Sequence, residues 1–321
     1  MKAPQPFLAD KTLPLLVEAG GEVAGNPEAL ADWARAQRAR LDDWLHEAGA
    51  VLFRGFGLSG TEDFRAVCCA VRPELAAYVG GDSPRVSVAD QVYTSTEFPP
   101  ELEIALHNEL SYGGWWPKRL FFTCQTAARS GGETHIADGR AIYANLDRAV
   151  RHKFEERGVT YIQHLRDESG PPGSGKSWQE TFETRDKAAA EAYCRDNGMD
   201  FDWTGRGLST AILRSGVIQH PVTGESVWFN QADQWHGSAG GVKHQETEDT
   251  GNGEKALPCH ARFGDGSEIS AEDLAAVRAA YRASEVLFPW QEGDFLVLDN
   301  EMALHGRKPF TGKRRTLVAM A

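Results

Sequence analysis

The sequence predicts a β-core, a sandwich or barrel, with helices added outside it. Past Val86, short strand-like runs alternate with Gly, Pro and Asp clusters. Three longer stretches of helical pattern interrupt those runs. No internal repeat and no linker-like stretch divides the chain. It therefore reads as one domain over residues 1–321, with a helical N-terminal part over about 1–85 and the β-core over about 86–321.

The elements follow in order. Over residues 27–47 the apolar side chains Leu30, Trp33, Leu41, Trp44 and Leu45 fall on one helical face. Asn26-Pro27 starts that helix and Gly49 stops it. "AVLFRGF" reads as a buried strand, and "TEDFRAVCCAVRPEL" as a helix with Thr61 as N-cap. The strand-like runs are "VSVADQVYT", "IALHNELSY", "RLFFTCQT", "GETHIAD", "VTYIQHL", "SGVIQHP", "SVWFNQA", "DFLVLDN" and "RRTLVAMA". The helical inserts are "GRAIYANLDRAVRHKFEERG", "SWQETFETRDKAAAEAYCRDNG" and "SAEDLAAVRAAYRASEV". The Gly-rich polar stretch "GSAGGVKHQETEDTGNGEK" reads as an exposed loop or lid.

Composition narrows the class. The chain has 321 residues and a formal net charge of −12, which disfavours binding to nucleic acid or anionic membrane. Cys68, Cys69, Cys124, Cys194 and Cys259 contain no C-x-x-C pair, and their number is odd. A disulfide framework is not expected, and a reducing compartment fits better. The N-terminal stretch lacks the apolar run of a signal peptide, and no run is long enough for a membrane span. The expectation is a cytoplasmic protein.

One motif points elsewhere. "GPPGSGKS" fits G-x-x-x-x-G-K-[ST], the phosphate-cradling loop of nucleotide hydrolases. Such a cradle needs a buried strand before it, a helix after it and backbone N–H groups aimed at the phosphates. Here the upstream run ends in charged residues, and Pro171 and Pro172 remove two donors. A Gly/Ser/Pro loop with one lysine is the simpler reading; a nucleotide hydrolase is the alternative.

A second constellation carries more chemistry. In "ALHNELSY", His107 and Glu109 are two residues apart, and on a strand such residues share a face. Alone, His-x-Glu is also compatible with a surface strand pair. A distant His305 among basic residues adds a second imidazole, and two histidines with one carboxylate form the facial triad of non-haem Fe(II) oxygenases. The other His-x-Glu, His244 and Glu246, lies in the polar loop where nothing fixes its geometry. A zinc hydrolase is the chemical rival, but no helical H-E-x-x-H is present. Arg307, two residues past His305, should share its face and is a candidate for a substrate carboxylate; Asn230 and Gln231 are candidates for polar substrate contacts.

With these residues in view, the sequence resembles the taurine dioxygenase-like (TauD/TfdA) family of Fe(II)/2-oxoglutarate oxygenases. Within it, the chain is most similar to the syringomycin-biosynthesis hydroxylase type. The likeness runs through "VYTSTEFPPELEIALHNELSYGGWWPKRLFFTCQTAARSGGETHIADGR", "SWQETFET", "HPVTGESVWFNQA" and "GDFLVLDNEMALHGRKPFTGKRRTLVAMA", from about residue 49 onward. It implies a mainly β fold with added helices around a double-stranded β-helix (jelly-roll) core. It implies His107, Glu109 and His305 as iron ligands, Arg315 and Thr134 as partners of the distal 2-oxoglutarate carboxylate, and Fe(II), 2-oxoglutarate and O2 as cofactor and co-substrates. Arg314 is adjacent and on a strand would point the other way; the choice of Arg315 rests on the family match. Glu109 occupies a position where related halogenases have a small residue, so hydroxylation is implied rather than halogenation. Ala319 stands where the alkylsulfonate enzymes have a sulfonate-holding arginine, which argues against a taurine-like substrate. Asp299-Asn300 belong to the turn before the distal histidine and read as structural. The implied reaction is hydroxylation of an unactivated carbon, the β-carbon by analogy, in an amino acid or in an aminoacyl group on an acyl or peptidyl carrier protein. The setting is natural-product metabolism; desaturation and epoxidation are the alternative outcomes.

Overall fold

The structure is a computed structural model, and it describes residues 1–78, 85–95, 98–169, 176–205, 207–239 and 257–321. The chain forms a mixed α/β fold with substantial sheet, consistent with a double-stranded β-helix core. Among the described residues no sheet closes into a barrel. The expectation of a mainly β protein is thus corrected toward a larger helical share.

An eight-stranded sheet has Ala50–Arg54, Phe295–Asp299, Arg119–Thr126 and Arg315–Met320 as its central neighbours. A four-stranded sheet runs Glu285–Phe288, Thr134–Asp138, Ala303–Arg307, Ile104–His107. Period-two alternation assigns the two faces of the large sheet. Leu296, Leu298, Leu120, Phe122, Val318 and Met320 share one apolar cluster with Ile136, Val286 and Leu304 of the small sheet. Phe295, Val297, Phe121, Leu317 and Ala319 turn the other way, onto Leu41, Leu45, Phe64 and Val67 of the N-terminal helices. The large sheet is therefore covered on both faces, which is why its strands read as nearly continuous apolar runs. A further four-stranded sheet, Asp200–Thr204, Gly207–Arg214, Val159–Arg166, Cys259–Phe263, adds Tyr161, Ile212 and Phe263 to the first cluster.

Several expected elements divide. The helix over residues 27–47 becomes Pro27–Ala36 and Arg38–Ala48, broken at Gln37. Its two ends are as read: Asn26 accepts a hydrogen bond from the Ala29 N–H, and Gly49 ends it at φ 77°. The next helix, Thr61–Val71, is capped one residue earlier than expected: the Asp63 carboxylate accepts from the Gly60 N–H at 3.3 Å. The first helical insert splits into Gly139–Asn145 and Arg148–Arg157, because Asp147 caps a new helix through the Ala149 N–H. The second splits into Trp178–Phe182 and Lys187–Asp196.

Residues 170–175 of the "GPPGSGKS" stretch, and residues 240–255 of the expected lid, lie outside the described residues. What is described around the former argues against a phosphate cradle. The strand before it, Val159–Arg166, pairs antiparallel on both sides rather than in a βαβ unit. The Ser177 hydroxyl accepts from the Glu180 N–H and donates to its carboxylate, so it serves as a helix cap. No described helix is long and apolar enough to cross a membrane.

Candidate metal centre and co-substrate cavity

Pairing of Ala303–Arg307 with Ile104–His107 sets His305 directly opposite His107 in antiparallel register. The two rings lie 4.3 Å apart between centroids. Glu109 does not share their strand. The strand ends at His107, and the chain turns: Ser111 N–H donates to the Asn108 carbonyl and Gly113 N–H to that of Leu110. Leu110 adopts a left-handed φ of 57°, costly for a side chain with a Cβ, and is held there by burial. The expected convergence of His107 and Glu109 thus occurs, but a turn produces it rather than the pleat.

Asparagines fix that turn. The Asn300 side chain accepts from the Glu109 N–H at 2.8 Å and donates to the carbonyls of Glu109 and Pro117 at 3.0 and 2.8 Å. Asn108 donates back to the Asn300 carbonyl at 2.7 Å. Gln231 donates to the Asn108 carbonyl at 2.6 Å, and Gln234 to that of Ala105 at 2.7 Å. Asn300→Ala leaves one N–H and two carbonyls unpaired in the interior. A stability loss of roughly 2–4 kcal/mol is expected, with Fe(II) affinity lowered roughly 10- to 100-fold. Thermal melting and metal titration measure the two; an unchanged melt would show that the turn holds without Asn300.

The three donor groups meet within 4.8 Å of one another. Glu109 Oε2 lies 3.5 Å from His305 Nε2 and 4.0 Å from His107 Nε2. His107 Nδ1 donates to the Ala105 carbonyl at 2.9 Å, which leaves the lone pair on Nε2, facing Glu109. Burial works against the charged form of Glu109, yet the Arg85 guanidinium and the two imidazoles outweigh it and hold the carboxyl well below its ordinary range. Burial pushes the His305 imidazole down, against the pull of Glu109, which favours the neutral ring a metal requires. Two imidazoles and one carboxylate on one side of a point fit a facial Fe(II) site.

Three other clusters have the right residue types but other uses. His236 and His260 accept backbone N–H groups on Nδ1, so their Nε2 atoms carry protons. Lys308 fills the space among Glu103, His135 and Glu285. Arg119 donates to Asp299 at 2.7 Å in the cluster with His220, in keeping with a structural Asp299.

Beside the triad lies a cavity lined by His107, His305, Thr134, Thr316, Arg85 and Arg314. Thr134 is buried, and its hydroxyl accepts from the Trp290 indole N–H at 3.0 Å. Arg314, not Arg315, faces this cavity. Arg315 is solvent-exposed at the start of its strand. A register irregularity between Arg315 and Thr316 breaks the simple alternation on which a choice by position depends. Arg314 donates to the Gly132 carbonyl at 2.9 Å and makes no ion pair among the described residues. Burial, with Arg307 nearby, pushes its guanidinium down to about 10, still protonated at neutral pH. A buried cation without a counter-charge is a ready site for a carboxylate.

The other expected contacts are corrected. Arg307 reaches the cavity edge, but its guanidinium donates to the carbonyls of Phe98, Pro99 and Leu102 at 2.7–2.9 Å. A register irregularity separates it from the phase of His305. Asn230 is fully buried, with its amide donating to the Gly216 carbonyl and accepting from the Ala232 N–H. Gln231 is likewise engaged in supporting the metal turn. Between His305 and Arg307, only glycine fits: a Cβ on Gly306 would lie 2.1 Å from His135 Nε2 and 2.4 Å from the Ile104 carbonyl oxygen. Sequence reasoning missed Arg85 altogether, since a lone arginine in a Gly/Pro-rich stretch has no pattern to mark it.

Fold, triad and cavity define a class, and comparison with known proteins agrees with it. Residues 11–321 match the taurine catabolism dioxygenase TauD, TfdA family, and the chain belongs to that family of Fe(II)/2-oxoglutarate-dependent dioxygenases. Among individual proteins, it is 37% identical over 281 residues to the dapdiamide synthesis protein DdaC of Enterobacter agglomerans, covering 87% of this chain and 84% of that one. It is 34% identical over 294 residues to a clavaminate synthase-like protein of Arabidopsis thaliana, covering 89% and 85%. The PvcB protein of Pseudomonas aeruginosa shares the fold at a TM-score of 0.55 and 16% identity, over 99% of this chain and 90% of that one.

Proposed function

We propose that this chain, acting as one domain, hydroxylates an unactivated carbon of a small amino-acid-like molecule in natural-product biosynthesis, using Fe(II), 2-oxoglutarate and O2. The observation that carries the reading is the meeting of His107, Glu109 and His305 beside a cavity lined by Arg314, which makes no ion pair among the described residues. When bound, iron would let O2 act as the oxidant, with 2-oxoglutarate supplying two electrons as it is oxidised to succinate and CO2. The protein's own groups do the rest. His107, Glu109 and His305 present three donors on one side. Arg314 and Thr134 hold the distal carboxylate of the co-substrate. Phe122, whose ring centroid lies 5.2 Å from that of His305, helps to keep water from the site.

DdaC, a dapdiamide synthesis protein, supports the natural-product setting, and the likeness extends over most of both chains. A free substrate is favoured over a carrier-bound one. A carrier, being acidic, would need an exposed basic patch, and "GRKPFTGKRR" does not offer one: Arg307 is buried, Arg314 faces the cavity, Lys308 pairs with Glu103 and Glu285, and Lys313 and Arg315 alone are exposed.

The test is an anaerobic titration with Fe(II) and 2-oxoglutarate, following the weak visible charge-transfer band, with His107→Ala as control. The band should need both additions and vanish in the variant. Its absence from well-folded wild-type protein would overturn the reading.

A further inference from the structure

Arg85 is a buried cation in the cavity that the reaction described above leaves unused. Its side chain is 4% exposed. One guanidinium nitrogen, Nη2, donates to Glu109 Oε2 at 2.7 Å. The other two, Nε and Nη1, are buried without a hydrogen-bond partner among the described residues. The guanidinium stacks on Tyr78, 4.3 Å from the ring centroid, and feels the field of Tyr112. Three unused N–H bonds and a full charge thus border a cavity that also contains two of the triad residues and Arg314.

Leaving such donors buried and unmet is costly, and proteins retain them where a ligand completes them. The charges say what kind of ligand. A divalent iron and a dianionic co-substrate cancel, and so do Glu109 and Arg314. The charges on Arg85 and on Arg307, which also lines the cavity, are left over, and the Arg307 Nη donors are already taken by backbone carbonyls. Glu109, its present partner, has to share its carboxylate once a metal is bound. The planar fork of Arg85 then matches a carboxylate in two-point geometry.

From this we infer that Arg85 anchors a carboxylate of the primary substrate beside the metal. The inference rests on the oxygenase reading above and narrows its substrate class. It also moves the role expected of Arg307 to a residue whose donors are not already taken.

The test uses full-length protein loaded anaerobically with Fe(II) and 2-oxoglutarate. The probes are the L-amino acids, their N-acetyl derivatives and the matching primary amides, read as shifts of the charge-transfer band. At least one carboxylate should bind, and its amide should bind roughly ten- to hundred-fold more weakly. Arg85→Gln should abolish that difference while changing 2-oxoglutarate affinity by less than about five-fold, on the scale of Coulomb effects between partly screened charges. Arg85→Lys, which keeps the charge without the fork, should retain part of the preference, and it guards against a Gln variant that folds poorly. No carboxylate preference in wild type would overturn the inference. So would a preference that survives Arg85→Gln, or a loss of 2-oxoglutarate binding as large as that of the probe. In each of these the wild-type band still forms, so the oxygenase reading stands; if the wild-type band never forms, both fall.

Discussion

His305→Ala is expected to yield a folded protein that forms no Fe(II)–2-oxoglutarate band and turns over at least about a thousand-fold more slowly, the several kcal/mol that a metal contributes to such a barrier. The reason is positional. His107 and Glu109 come from one strand end and its turn, whereas His305 alone brings the neighbouring strand to the site. Without it, two donors remain on one short segment, too few to fix an octahedral ion on one face. Folding should survive. His305 packs on Phe122, and trimming it leaves a small cavity, with a cost of about 0.5–3 kcal/mol. Glu109 keeps Arg85 as its counter-charge, so no buried carboxylate is stranded. Circular dichroism and a melting curve separate the two effects. A variant that melts normally and still shows the band would remove His305 from the metal centre.

Arg314→Gln is expected to raise the KM for 2-oxoglutarate roughly thirty-fold or more, from the 2–5 kcal/mol typical of losing one partner of a buried charge pair. Arg315→Gln should change it by less than about two-fold, since Arg315 is exposed and outside the cavity lining, where its charge is well screened. Arg314 has a cavity-facing guanidinium that makes no ion pair among the described residues, and Thr134 lines the same cavity. A co-substrate titration of both variants decides between them. The opposite ranking would return the role to Arg315 and require the strand to pair in another register.

The elements that were legible in sequence are those with a local cause. Asn26 and Gly49 mark helix ends because a side-chain oxygen or a missing Cβ acts within three residues. The strands Arg119–Thr126 and Phe295–Asp299 stand out because burial on both faces leaves an unbroken apolar run. What misled was also local. The residue stripe over 27–47 has helical period on both sides of Gln37, and periodicity does not register one residue leaving the helical conformation.

His107, Glu109 and His305 were readable as a set because metal chemistry demands those residue types, wherever the fold later puts them. The sequence by itself thus determined the donor set and the need for a β-core. The tertiary structure alone decided which arginine faces the cavity, that Arg307 and Asn230 are held by backbone groups, and that Arg85 stands beside Glu109. The physical reason is the same in each case. A register irregularity of a single residue reverses which side chains point inward, and two segments distant in sequence meet only through the packing of the whole.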